Sequence, residues 1–467
     1  MNNLKCKQVK DKQQAFFKKV LTISVVLCIV GCNQKPKDDT PWVSIFDGKT
    51  LEGWTVLGGN AAYSVEDETI VGKTVHNTAN TFLTSNKNYE NFILELEYLV
   101  DSTMNSGIQI RSNSIPEYFD GRVHGYQVEI DPSNRAWSAG IYDEGRRGWL
   151  NPLSKNEAAQ KAFKQNQWNH YRIEALGDTL KTWINGVPAA HLIDDITSEG
   201  FIGLQVHSIG ENQKAGTEIK WKNIKIVTEN VEKYTTVSPL QPIVTKNMLT
   251  QHEEEDGWEL LWDGLTNKGW RGAKLDDFPG QGWVIENGEL TVLSSGGGES
   301  EAGGDIVTES QYDNFEVKLE FKITEGANSG IKYYVNTDLN KGEGSSIGLE
   351  FQILDDARHP DAKLGNHEGS RTIGSLYDLI QADTTKHVKP IGEWNRAHII
   401  SNNNHVEHWL NGAKVLEYER KSDAYRKLVS ESKYVTWPEF GEADKGNILL
   451  QDHGDRVSFR NIKIKQL

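Results

Sequence analysis

A chain of 467 residues is too long for one ordinary hydrophobic core, which argues for two domains of roughly 200 residues each. Its formal charge of −15 argues against nucleic acid, or any other polyanion, as a partner. Of three cysteines, Cys6, Cys28 and Cys32, none lies in the body of the chain, so no disulfide framework or cysteine metal site is expected there.

In chain order, the first 31 residues read as a removable leader. Lys5, Lys7, Lys10, Lys12, Lys18 and Lys19 make a basic start, and Val20 to Val30 is an apolar run too short to span a bilayer. The run ends in Ile29-Val30-Gly31-Cys32, which resembles the lipobox of bacterial lipoproteins. That resemblance implies lipidation of Cys32, attachment to a membrane through it, and a cell-envelope location, periplasmic or outer-membrane. Six lysines against Asp11 leave with the leader, so the remainder carries about −20. Residues 32–41 read as a solvated tether.

Residues 42–228 and 257–467 then repeat one pattern. Asp47-Gly48-Lys49-Thr50-Leu51-Glu52-Gly53-Trp54 matches Asp263-Gly264-Leu265-Thr266-Asn267-Lys268-Gly269-Trp270 in spacing. Phe92 to Tyr98 answers Phe315 to Phe321, the latter a strict period-two strand. Asn105-Ser106-Gly107-Ile108 answers Asn328-Ser329-Gly330-Ile331, and Trp168-Asn169 answers Trp394-Asn395. The type I′ hairpin signals Asn185-Gly186 and Asn411-Gly412 correspond. So do Gln205-Val206-His207 and Gln451-Asp452-His453, and the closing Asn223-Ile224 and Asn461-Ile462. This is a duplicated domain rather than a short-period solenoid. Residues 229–256 lack periodicity and read as a linker partly laid on a domain surface. Helices are expected only at 155–165 and 423–430. Many short alternating strands and Asn-Gly turns point to antiparallel β-sandwiches.

Each copy also carries an acid and an amide at alternate positions of one strand, Glu350 and Gln352 in the second and Gln127 and Glu129 in the first. Such residues share a sheet face about 6.5–7 Å apart, where they can hold a polyhydroxylated ligand while the carboxylate takes a proton. A solvated edge strand is the plainer explanation, and its recurrence in matching contexts weakens it. For Asn-Ser-Gly the plainer explanation is a turn, because Asn and Gly tolerate positive φ.

Together these landmarks resemble the 3-keto-disaccharide hydrolase family, also described as 3-keto-α-glucoside 1,2-lyase/3-keto-2-hydroxy-glucal hydratase. The resemblance covers both copies. It implies an all-β fold of two tandem concanavalin A-like jelly rolls, each with a sugar site on the concave sheet, acting on glycosides oxidised at carbon 3. It also implies a functional link to a sugar 3-dehydrogenase that would make the ketone. The acid-then-amide order of the second copy is the more usual one. The first copy alone has Arg111 where the second has Tyr334, and alone carries Arg135-Ala136-Trp137 and Tyr142-Asp143 to Trp149; Tyr377 and Asp378 stand at the comparable place in the second.

A ketone at carbon 3 acidifies the hydrogen on carbon 2, so a base can trigger elimination of the aglycone from carbon 1, and water then adds to the 2-hydroxy-glucal. The resemblance implies Glu350, or Glu129 in the first copy, as base, and His453 or His207 as acid or enolate donor. Gln352, Asn328, Gln451, Asp355, Tyr377 and Asp378 would contact sugar in the second copy. Asn105, Arg111, Gln127, Asp131, Trp137 and Gln205 would do so in the first. In each copy the acid–amide strand, Asn-Ser-Gly and Gln-x-His should converge on one pocket. Two alternatives stay open. An ordinary glycosidase would pair Glu350 with Asp355 or Asp378, or Glu129 with Asp131 or Asp143; a lectin-like lipoprotein would only bind. No cofactor is specified; the carboxylates and histidines suit a divalent metal, but no ligand spacing calls for one.

Overall fold

Four largely antiparallel sheets, two per repeat, make up the described part of the chain. The computed structural model describes residues 41–467 except Glu117, Gly297 and Pro438; the leader, Cys32 and the tether up to Thr40 lie outside the described residues. In the first copy a nine-stranded sheet centred on Phe92–Val100 packs on a seven-stranded one centred on Ser106–Asn113. In the second an eight-stranded sheet containing Phe315–Ile323 packs on a five-stranded one containing Asn328–Asn336 and Ile347–Leu354. Both copies are jelly-roll β-sandwiches, as the family resemblance implied.

Period-two patterning accounts for the layers. Phe315, Val317, Leu319 and Phe321 are buried in the sandwich, while Glu316 and Lys318 face outward. Two large apolar clusters follow, one around Trp221 and Tyr98 and one around Trp262 and Phe315, with no residue in common. Each fully buried large side chain contributes about 1.5–3 kcal/mol, so each copy has a core of its own.

The repeated motifs are mostly fasteners. Asp47 accepts the Lys49 and Thr50 amides (2.8 Å each), Asp263 does the same for Leu265 and Thr266, and the Trp54 and Trp270 indoles donate to Ile45 and Leu261 carbonyls. Trp-Asn and Asn-Gly prove to be one device: Asn185 Nδ2 donates to Asn169 Oδ1 (2.8 Å), and Asn411 Nδ2 to Asn395 Oδ1 (2.9 Å). Helices occupy Glu157–Ala162, shorter than the expected 155–165 because Phe163 turns to extended backbone, and Asp423–Ser430.

Segment 229–256 is not featureless. Ile243–Val244 adds a parallel strand beside Val187–Ile193, and Gln251–Glu255 is a helix with a Thr250/Glu253 capping box. Glu253 pairs with Lys463 (2.7 Å) and Thr250 Oγ1 donates to the Arg147 carbonyl (3.0 Å), so this segment fastens both copies. Residues 41–467 form one compact unit.

Candidate active site

The Asn-Ser-Gly segments are strand from Asn328 and from Ser106 onward, Asn105 standing just before its strand, and none of the six residues has positive φ. Each residue in the segment has a separate task. Ser329 Oγ donates to the Gln451 carbonyl (2.8 Å) and Ser106 Oγ to the Gln205 carbonyl (2.7 Å), locking this strand to the Gln-x-His strand. The glycines make room: a Cβ on Gly330 would meet Glu350 Oε1 at 2.2 Å, and one on Gly107 would meet Gln127 Cδ at 2.4 Å. The asparagines reach the site.

In the second copy these strands floor a cavity of about 500 Å3 that Glu350, Asn328, Tyr377, Gln451 and His453 all line. Glu350 is 4% exposed; burial raises its pKa above the ordinary glutamate value, against the pull of Lys332, Lys433 and His453. Its Oε2 lies 3.7 Å from Lys332 Nζ. Gln352, fully buried beneath, donates to Glu350 Oε1 (3.0 Å) and the Ser329 carbonyl (3.2 Å) when its amide nitrogen faces them. His453 Nε2 is 3.4 Å from the Asn328 amide, and His359 stands edge-on to it at 6.2 Å. His359 Nδ1 accepts the Asp361 amide (3.2 Å), so the neutral ring carries its proton on Nε2. Tyr377 donates to Asp361 (2.8 Å), and the Lys433 ammonium lies over the Tyr377 ring at 4.3 Å.

Register exposes a difference between the copies that residue order conceals. Lys332 pairs with Glu350 and Gly330 with Gln352, whereas Gln109 pairs with Gln127 and Gly107 with Glu129. At the cross-strand position where the second copy sets ammonium against carboxylate, the first sets amide against amide, Gln109 Nε2 donating to Gln127 Oε1 at 2.5 Å. Glu129 therefore stands where Gln352 does, not where Glu350 does. It accepts Asn105 (2.7 Å) and Gln127 (2.8 Å), and burial pushes its pKa up to about 7. Arg135 lies 3.7 Å from Glu129 and 2.8 Å from Asp131, its guanidinium 4.8 Å from the Trp137 ring and 4.9 Å from that of Trp149. Asn105, Asp131, Arg135 and His207 line a cavity of about 310 Å3, and His207 Nδ1 is 2.7 Å from the Ser208 carbonyl. A larger hollow of about 860 Å3 near Thr74 and Lys214 contains none of the expected residues.

Several expected sugar contacts are elsewhere. Arg111, 1% exposed at a bulge with φ 46°, donates to the Glu90 and Gly177 carbonyls (2.7 Å each); its counterpart Tyr334 has φ 52° and bonds Ser401 (2.8 Å). Both are fasteners, because a bulge turns the side chain off the site face. Asp378 is buried, accepting Arg371 (2.8 Å) and the Lys433 amide (3.0 Å), and Asp355 caps the Gly326 and Ala357 amides (2.9 and 3.2 Å). Trp137 has its ring against Trp149 (4.8 Å) and Arg135. Gln205 is wholly buried, and neither amide atom has a protein partner. The cavity residues Lys332, Lys433, His359 and Glu299 were not foreseen. Lys332 had a signal, since Asn328, Gly330 and Lys332 alternate onto one face; the others come from loops without periodicity. Among the described residues, His405, Glu407 and Glu417 bring ligand atoms within 4.8 Å of one another, on an outer hairpin away from the cavity, with Lys414 already 2.6 Å from Glu417.

The sequence profile of a domain family described as 3-keto-alpha-glucoside-1,2-lyase-like matches residues 41–227 and again 257–465. A 3-keto-disaccharide hydrolase of Bacteroides thetaiotaomicron is 38% identical over 234 residues, covering 46% of this chain and 80% of that protein. Among solved structures, a provisionally assigned glycosyl hydrolase from Parabacteroides distasonis is 31% identical, covers 48% of this chain and all of its own, and gives a TM-score of 0.42. The carbohydrate-binding module CBM66 from Bacillus subtilis, at 18% identity, covers 38% of this chain and 95% of its own with a TM-score of 0.29.

Proposed function

This chain belongs, in both of its repeats, to the 3-keto-alpha-glucoside-1,2-lyase-like family of carbohydrate hydrolases and lyases, and from that premise we propose that its second copy cleaves 3-keto-glycosides by elimination and hydration. Glu350 takes the hydrogen from carbon 2, and the electrons of that bond form the enolate. Their return expels the glycosidic oxygen from carbon 1, with His453 supplying its proton. Water then adds across the resulting double bond, hydroxyl to carbon 1 and proton to carbon 2.

The observation that carries this reading is one buried carboxylate, its pKa raised by burial, on the wall of a cavity with a cation 3.7 Å away. A base works best when its pKa nears the working pH. The two-carboxylate glycosidase is less well supported, because Asp355, Asp378 and Asp143 are engaged by backbone amides or arginines. We further propose a small-molecule sugar as substrate, a sugar 3-dehydrogenase acting before this step, and a cell-envelope protein lipidated at Cys32.

Turnover of a 3-keto-glucoside in deuterium oxide should put deuterium at carbon 2 of the earliest 3-keto-glucose released. A no-enzyme control corrects for slow enolisation of the product. Glu350→Gln should lose at least about 100-fold in rate. An early product without deuterium, together with a fully active Glu350→Gln, would sink the elimination reading and favour direct attack at carbon 1.

A further inference from the structure

We infer that Lys332 is a catalytic residue of the second copy, its ammonium receiving the negative charge that develops on the carbonyl oxygen as Glu350 removes the neighbouring proton. The inference rests on the elimination reading of the site. An ammonium has three donors, and two are spent: Lys332 Nζ donates to Ser345 Oγ and to the Ser346 carbonyl (3.2 Å). Among the described residues the third has no hydrogen-bond partner, and Glu350 Oε2 lies 3.7 Å away on the cavity side. That gap is too long for a direct hydrogen bond and suits a substrate oxygen that bonds the ammonium while the adjacent carbon faces the carboxylate. Oxyanion donors work at about 2.7–3.1 Å from the oxygen they stabilise.

The ammonium is also fixed in advance. Ser345 Oγ donates to Asp305, whose carboxylate additionally accepts the Ser346 and Asp452 amides (3.0 Å each). Lys332 and Asp305 are each 5% exposed, so the cation is held from behind, in a site where low dielectric magnifies its effect on a developing charge. The other lysine of the cavity is differently engaged, its ammonium over the Tyr377 and Tyr434 rings. In the step itself the carbon–hydrogen electrons become the carbon 2–carbon 3 double bond. The carbonyl π electrons move to oxygen, Glu350 gains the proton, and Lys332 keeps all of its own.

The first copy supplies the natural comparison. Gln109 occupies the same register, bonded to Gln127, so that face has a neutral pair where the second has a base and a cation. It also shows that glutamine fits this strand position, which makes Lys332→Gln a variant the fold accommodates.

The test uses the full chain and 4-nitrophenyl 3-keto-glucoside, with thermal melting of every variant and Glu350→Gln as the floor. Lys332→Met should lower kcat about 100- to 1000-fold with KM within about threefold, because the interaction exists only as charge develops. Lys332→Gln, which keeps a neutral donor, should lose at least about tenfold. In Lys332→Gln the acid limb of kcat/KM should also move to higher pH, since Glu350 loses a cation that favours its ionised form. A merely structural lysine would lower the melting temperature and leave kcat alone. If both variants stay within about threefold of the parent while Glu350→Gln is inactive, Lys332 is overturned and the base stands. If Glu350→Gln is also active, the elimination reading falls with it.

Discussion

Glu129 and Glu350 are buried carboxylates on equivalent sheets, yet only one faces a lysine across the strand pair. Glu129 has Asn105 and Gln127 as donors and Arg135 at 3.7 Å, and burial still dominates, raising its pKa to about 7. The consequence for stability has a definite sign. Between about pH 4.5 and 7 the folded chain holds a proton on Glu129 that the unfolded chain has released. Rising pH therefore destabilises the fold, by on the order of 3 kcal/mol once both states are ionised. Glu129→Gln removes that penalty. Its melting temperature relative to the parent should rise from pH 5 to pH 8, whatever the cost of exchanging a carboxylate for an amide at fixed pH. A difference independent of pH would mean that Glu129 ionises normally. The same physics raises the Glu350 carboxyl above the ordinary glutamate value, which makes it a stronger base once ionised.

At the scale of elements, the two Asn-Gly hairpins are the same turn in different company. Asn185 and Gly186 have φ of 49° and 82°, and Asn411 and Gly412 of 52° and 89°, the all-positive pattern of a type I′ turn. A Cβ on Gly186 would meet nothing within 4 Å, whereas one on Gly412 would meet the Tyr118 ring at 2.4 Å. Gly186→Ala should thus cost only the left-handed backbone penalty, about 1–2 kcal/mol. Gly412→Ala should cost that plus the displacement of Tyr118, whose hydroxyl donates to the Gly145 carbonyl (2.6 Å) and whose neighbour Phe119 packs on Trp409. Chemical denaturation of both variants checks the order; equal losses would show that Tyr118 swings aside freely.

Across residues 41–467 the copies are joined by charge as well as by shape. Arg460, 2% exposed, is bidentate to Asp195 of the first copy (2.7 and 2.8 Å) and bonded to Glu320 of its own (2.8 Å). The Arg460–Glu320 pair is buried on both sides and so is costly to break from one, because the other charge is left desolvated. No helix among the described residues is long and apolar enough to cross a membrane. If Cys32 carries lipid, Cys32→Ser should move the chain from the membrane to the soluble fraction of its host, and catalysis should follow it there. A variant that stays membrane-bound would place the attachment elsewhere.

Sequence by itself determined the duplication and the strand patterning, because period-two burial and φ-demanding turns are local properties written residue by residue. It also located Glu350, Asn328, Gln451 and His453, which all reach one cavity. It misjudged Asn-Ser-Gly, whose glycines serve close packing under a neighbouring side chain rather than positive φ, a demand visible only once the adjacent strand is in register. It likewise gave Arg111, Asp355 and Asp378 to the sugar, since a polar residue near a site in sequence cannot reveal that a bulge or a backbone amide has already engaged it. The decisive pairing of Lys332 with Glu350, against Gln109 with Gln127, belongs to the tertiary structure: residues 18 positions apart in the chain become partners only through strand register.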